Sequence, residues 1–162
     1  MTEVHRRVRR AFADHESFDC VDDDRYESVT TPFEGRVDVS SAEGGRHRFV
    51  VTVRVPTLSA VVEGDVASVV EDGWYETFAL RLEDADGVMR RERGVDPAVE
   101  RVDDAVVVEA SFEDVNERRA VDDAAALVDY VEGTYVQGVI PGYDYTDPVA
   151  GLLSRAEESA GF

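Results

Sequence analysis

The stretch His47-Arg48-Phe49-Val50-Val51-Thr52-Val53-Arg54-Val55-Pro56 decides the fold. Phe49, Val51, Val53 and Val55 occupy every second position, the period at which strand side chains return to one face. Pro56 cannot donate to a ladder and ends the run. Just upstream, Ser41-Ala42-Glu43-Gly44-Gly45 reads as a hairpin turn, and Val37 and Val39 before it keep the same period of two. An extended stretch begins near Tyr26, is interrupted by Pro32, and follows an acidic turn, Asp22-Asp23-Asp24. Downstream, residues 99–102 and 105–112 form a second hairpin around Asp103-Asp104, with Val106, Val108, Ala110 and Phe112 on one face.

Helical spacing fills the intervals. Val4, Val8 and Phe12 make an i, i+4, i+8 stripe that Thr2 can cap, on a helix reaching about Glu16. Val66, Val69, Val70, Gly73, Trp74, Phe78, Leu82 and Ala85 fit one helical stripe over about 66–85, with Asp65 as its N-cap. The alternation of Phe78, Leu80 and Leu82 is also strand-like, but the helical template takes in more residues. Gly73 on that stripe permits either a close approach beside Trp74 or a break in the helix. Asp114 and Glu117 have capping-box spacing for a long helix to about Glu132, with Ala120, Ala124, Leu127, Val128 and Val131 as its apolar side. Asp147 before Pro148 opens a short closing helix carrying Val149, Leu152, Leu153 and Ala156. The order α-β-β-β-α-β-β-α plus a C-terminal helix specifies an α+β domain over 1–162. It implies an antiparallel sheet of about five strands with helices packed on one face.

Composition speaks about solvent. The 162 residues carry 36 Asp and Glu against 17 basic residues, all of them arginine, for a net charge of −19. Self-repulsion of that size opposes compaction in dilute buffer, but at molar salt the Debye length falls to about 3 Å. Arginine, unlike lysine, forms planar bidentate pairs with carboxylates. Surplus carboxylate with no lysine and a single isoleucine, Ile140, looks like the proteins of extreme halophiles. Acidity therefore describes the solvent rather than the partner. The opening His5-Arg6-Arg7-Val8-Arg9-Arg10 is charged, unlike a signal peptide, and no apolar run approaches the roughly 20 residues that span a bilayer. One cysteine, Cys20, leaves no internal disulfide, and a reducing cytoplasm is the expected address.

Catalytic and metal signatures are not recognisable. His5, His15, Cys20, Asp22, Asp23, Asp24 and His47 are suitable ligand types without the spacing of a zinc or calcium site. There is no nucleophile elbow, no phosphate loop and no lysine for Schiff-base chemistry, so neither catalytic residue, metal nor cofactor is assigned. The Arg6, Arg7, Arg9 and Arg10 cluster could meet phosphates. Counterion release weakens such contacts as salt rises, and the acidic remainder repels a polyanion, so nucleic acid is disfavoured against pairing with the protein's own carboxylates. The one segment that escapes the charge is Gly133-Thr134-Tyr135-Val136-Gln137-Gly138-Val139-Ile140-Pro141-Gly142-Tyr143-Asp144-Tyr145. Tyrosine offers rigid apolar area with a polar tip, which suits a binding surface or a loop folded onto its own core. Tyr135, Pro141, Tyr143, Tyr145 and, akin to them, Trp74 are the candidate binding residues.

Thr31-Pro32-Phe33, Pro56-Thr57-Leu58, Gly73-Trp74-Tyr75-Glu76 and Ile140-Pro141-Gly142-Tyr143 resemble the stretches of an uncharacterised haloarchaeal domain family of unknown function. That resemblance implies no activity. The element order is also similar to that of type III secretion chaperones, small acidic dimers that bind partner polypeptides. That similarity is one of topology alone, and fold does not imply function. A complete-looking core without a recognisable catalytic set is the ground for reading the chain as a non-catalytic binding or adaptor protein, chaperone-like in kind, with a protein partner or a homodimer. The alternative is a small-molecule-binding protein or enzyme with a pocket near the 135–145 segment.

Overall fold

The computed structural model describes residues 3–89 and 93–159. The chain runs α1 (Glu3–Ala13), β1 (Phe18–Asp22), β2 (Arg25–Ser28), β3 (Glu34–Ser41), β4 (His47–Pro56), α2 (Ser68–Leu82), β5 (Ala98–Val102), β6 (Ala105–Asp114), α3 (Glu117–Gln137) and α4 (Val149–Ser159). All six strands pair antiparallel in the order β1-β2-β3-β4-β6-β5. The decisive run is thus the middle of the sheet. Its register puts Val51 between Val37 and Ala110, and Phe49 between Val39 and Phe112. Phe49 and Phe112 stack at 5.5 Å.

Every one of those side chains is buried, while Arg48, Arg54, Glu109 and Glu113 on the intervening positions are exposed. One face is therefore core and the other is wet, as expected of an antiparallel sheet covered on one side. Helix α1 sends Val8, Ala11 and Phe12 inward, and Phe12 stacks on Tyr26 at 3.8 Å. Helix α3 buries Ala120, Ala124, Leu127, Val128 and Val131 over the same face. The Thr2 cap lies outside the described residues.

The α+β architecture agrees with the sequence, with three corrections. The sheet has six strands rather than about five. The extra one, β1, is an edge strand in which Phe18 alone is buried, so no alternation marks it. Helix α2 is one helix, shorter than 66–85, and its N-cap position is Ala67 with no side-chain cap; Asp65 lies two residues earlier. Helix α3 begins under Asn116, whose side chain accepts from the Arg119 N–H at 2.9 Å, and runs to Gln137 rather than Glu132. Asp114 is released from capping for another task. The acidic turns hold, and Asp24 (φ 61°) and Asp103 (φ 55°) adopt the left-handed conformation that aspartate tolerates better than most residues.

Candidate binding groove

Helix α2 turns Trp74, Phe78 and Leu82 inward, at i, i+4 and i+8. Trp74 and Phe78 stack at 5.6 Å, and both meet the Tyr135 ring edge-on at 5.6 and 5.8 Å. Tyr135 also packs on Phe33 at 4.9 Å, and its hydroxyl donates to the Pro56 carbonyl at 3.0 Å. Burial pushes the Tyr135 phenol well above its usual pKa, so it stays protonated. This aromatic knot anchors α2 to α3.

Beyond α3 the chain turns back along α2. Gly138 ends the helix, and Gly142, at φ 97°, makes a bend that a side chain would strain. The Tyr145 hydroxyl then clasps Ile140, donating to its carbonyl at 2.6 Å and accepting from its N–H at 3.0 Å. Residues 144–146 are pinned in turn: Glu63 N–H donates to the Asp144 carbonyl and Thr146 N–H to the Val61 carbonyl, both at 2.8 Å.

Between α2 and this returning segment lies an open groove of about 540 Å³. Its walls are Val69, Val70, Gly73, Trp74, Thr77 and Arg81 on one side and residues 137–141 on the other. None of these is a carboxylate, imidazole or thiol. The groove therefore offers apolar contact and one guanidinium, not acid–base chemistry. Arg81 makes no ion pair among the described residues, and its Nη1 lies beside Gly138, at the C-terminal end of α3.

The structure brings two of the five sequence candidates, Trp74 and Pro141, into this groove. Tyr145 shapes its wall from behind, Tyr143 is half-buried against the core, and Tyr135 lies beneath it, 1% exposed. The sequence missed Val69. It sits on the supposed buried stripe yet is 76% exposed, and Leu80 on the same helix is 63% exposed. Gly73 is exposed as well, with nothing within 4 Å of where a Cβ would stand, so it neither packs closely inside the molecule nor breaks the helix.

Of the other chemistry-bearing residues, His5 and His47 have ring centroids 5.6 Å apart, and His5 lines a hollow with Arg9, Asp23 and Asp24. His15 accepts from Ser17 N–H and contacts Asp122 at 3.2 Å, Cys20 is exposed with Arg9 at 3.6 Å, and His47 is buried. Among the described residues no three His, Cys, Asp or Glu side chains converge as a metal site. Of the arginine cluster, Arg7 pairs with Glu117 and Arg9 with Asp23. A hollow of about 680 Å³ on the wet face of the sheet is lined by alternating charges, with Arg54 opposite Glu34 and Arg36 opposite Glu27. Among the described residues no helix is long and apolar enough to cross a membrane.

A family of unknown function, DUF5813, matches residues 13–155. No curated protein and no solved structure matches.

Proposed function

We propose that this chain, which belongs to the DUF5813 family, is a non-catalytic binding or adaptor protein of an extreme halophile, working in the cytoplasm, and that a polypeptide docks in the groove beside α2. One observation carries the reading: a groove free of carboxylates on a chain of net charge −19. Exposed apolar surface rimmed by polar residues marks interaction sites on soluble proteins. Here the contrast is sharper, because the composition places a carboxylate at more than one residue in five. A chaperone-like role is the finer form of this reading; it rests only on the element order read from the sequence, to which the structure adds strand β1.

Tagged wild type and Val69→Glu are to be compared in pull-downs at molar KCl. The reading expects one stoichiometric polypeptide with the wild type and its loss with the variant. Equal recovery from both, or from neither, overturns it. The salt adaptation has its own test: circular dichroism should report loss of fold below about molar salt, as the screening length grows toward 10 Å. A stable fold at low salt removes the halophilic part of the reading and leaves the groove untouched.

A second reading draws on Arg81. An apolar groove ending in a guanidinium that makes no ion pair among the described residues also fits a small amphipathic carboxylate. A ligand that binds only the native state raises its stability. A thermal-shift screen of aliphatic carboxylates should show a rise that Arg81→Gln abolishes; no shift removes this reading.

A further inference from the structure

Strand β4 opens on a buried imidazole. His47 is 3% exposed, and among the described residues its Nδ1 is the one buried side-chain nitrogen or oxygen without a hydrogen-bond partner. Alternation explains the burial, since His47 heads the run of Phe49, Val51, Val53 and Val55 on the core face. Helix α1 lies over it. The His5 ring stands 5.6 Å from the His47 ring, centroid to centroid, and about two turns further on Phe12 comes within 6.4 Å of Phe49. A neutral imidazole carries a proton on one nitrogen, whereas an imidazolium carries one on both. Protonation therefore leaves an N–H at the buried Nδ1 with nothing to receive it, and sets a charge beside a second imidazole.

The groups that face His47 do not offset this. Asp114, its register partner on β6, shares the buried face, but its oxygens are taken by Arg93, Arg119 and the Asn116 N–H. Ser41, its partner on β3, is uncharged. Glu117 at the start of α3 and Asp24 in the β1–β2 turn favour the cation, while His5 and Arg7 on α1 oppose it. Glu117 is also tied to Arg7 at 3.3 Å. Burial first, and His5 next, hold the His47 imidazole below its ordinary pKa.

We propose that His47, lying beneath His5, is an acid-sensitive latch: neutral, it lets α1 lie on the sheet, and protonated, it favours a state in which α1 has lifted off β4. Lifting α1 lets water reach both imidazoles and uncovers Tyr26 and Phe49, the rings on which Phe12 packs. A native pKa below that of the open state means that the open state binds the proton more readily. The latch is therefore whole above the ordinary imidazole value of about 6.5 and weakens as pH falls below it. Carboxylates titrate near pH 4, well below this window.

Hydrogen exchange of the full chain in molar KCl, corrected for the intrinsic rate at each pH, reads the latch directly. Amides of Val8, Ala11 and Phe12 on α1 should open more often than those of Leu127 and Val128 on α3. Their opening constant should rise up to about tenfold between about pH 7.5 and 5.5. In a proton NMR titration the His47 ring should have its midpoint below about 6.5. His47→Leu should abolish the rise, and His47→Gln, neutral and polar, serves the same purpose if leucine is not tolerated. His5→Gln should make the rise smaller, since a repelling neighbour is gone, and His15→Gln should leave it as it is. Opening that ignores pH, a rise that survives the loss of His47, or a ring that titrates at or above the ordinary value overturns the proposal. So do α1 amides that open as rarely as those of α3, because the helix then leaves only with the whole fold. A rise unchanged in His5→Gln overturns the part given to His5. The ring titration needs no variant and decides the matter where neither His47 substitution folds.

Discussion

Between β6 and α3 the molecule buries charge, whereas along α2 it exposes hydrocarbon. At the first place Arg93 lies with a side chain 6% exposed between Asp114 and Asp123, at 2% and 1%. Its guanidinium donates to Asp114 at 2.6 Å, to Asp123 at 2.8 Å and to the Glu113 carbonyl at 3.1 Å, over the Phe112 ring at 4.5 Å. Asp114 also accepts two bonds from Arg119 and one from Asn116 N–H. Asp86 gathers the N–H groups of Arg93, Gly94 and Val95. Buried charge is expensive, and it is tolerated here because its polar atoms meet partners. That network ties Asp86, residues 93–95 and the first turn of α3 to the end of β6. The outer side of α2 is its inverse: Val69 and Leu80 stand exposed among the described residues, with the groove beside them. Finished polar networks belong to folding, and unfinished apolar surfaces are where function is to be sought.

The contrast predicts the largest effect at Arg93. Arg93→Ala removes the cation shared by two buried carboxylates and should cost about 3–5 kcal/mol. Urea denaturation at fixed salt reads this directly. A loss below about 1 kcal/mol, the scale of an exposed pair, would show the network to be ornamental.

Acid should act through the same place. Burial alone pushes the Asp114 carboxyl up, but the bonds from Arg119, Asn116 N–H and Arg93 outweigh it and hold the carboxyl well below its usual range. A depressed native pKa means the unfolded chain binds the proton more readily. The stabilisation is therefore whole above the unfolded value of about 3.9 and declines as pH falls below it. The wild type should lose stability below about pH 4 more steeply than Asp114→Asn, which starts lower at neutral pH. Parallel profiles would mean that the carboxylate gains nothing from its partners.

A smaller effect is expected where the two regions meet. Tyr135→Phe keeps the aromatic knot and deletes one hydrogen bond, so it should cost about 1 kcal/mol. The Pro56 carbonyl is left to find water. A neutral result would show that water already reaches that carbonyl.

What the sequence revealed follows from what leaves a period. Strand β4 was legible because burial on one face of a central strand forces alternation at 49, 51, 53 and 55. Edge strand β1 faces solvent along most of its length and carries no such mark. Asn116 was overlooked as a cap because Asp114, two residues earlier, satisfies the same rule by type, and only the Arg93 contact shows where its oxygens go. Arg93 itself sits in a polar stretch, and burial of a lone arginine has no local signature. The groove was half legible. Freedom from charge marked residues 135–143, but Val69 read as core because a helical stripe tells which residues share a side, not which side meets water. The exposure of Val69 depends on how far α2 rolls over Tyr135, a long-range fact.

The smallest effect gives the most pointed test. Gly73 has an ordinary helical backbone, is exposed, and has nothing within 4 Å of its missing Cβ. In an isolated molecule Gly73→Ala should stabilise the fold by up to about 1 kcal/mol, the helix-propensity difference between the two residues. Gly73 also lines the groove, where the same methyl group narrows the space open to a docked polypeptide. Thermal stability should therefore rise while recovery of that polypeptide in pull-downs falls. The two signs are opposed because one residue serves two selections, helix stability and room in the groove. If both measurements improve together, Gly73 does not meet a partner and is merely an exposed position of α2.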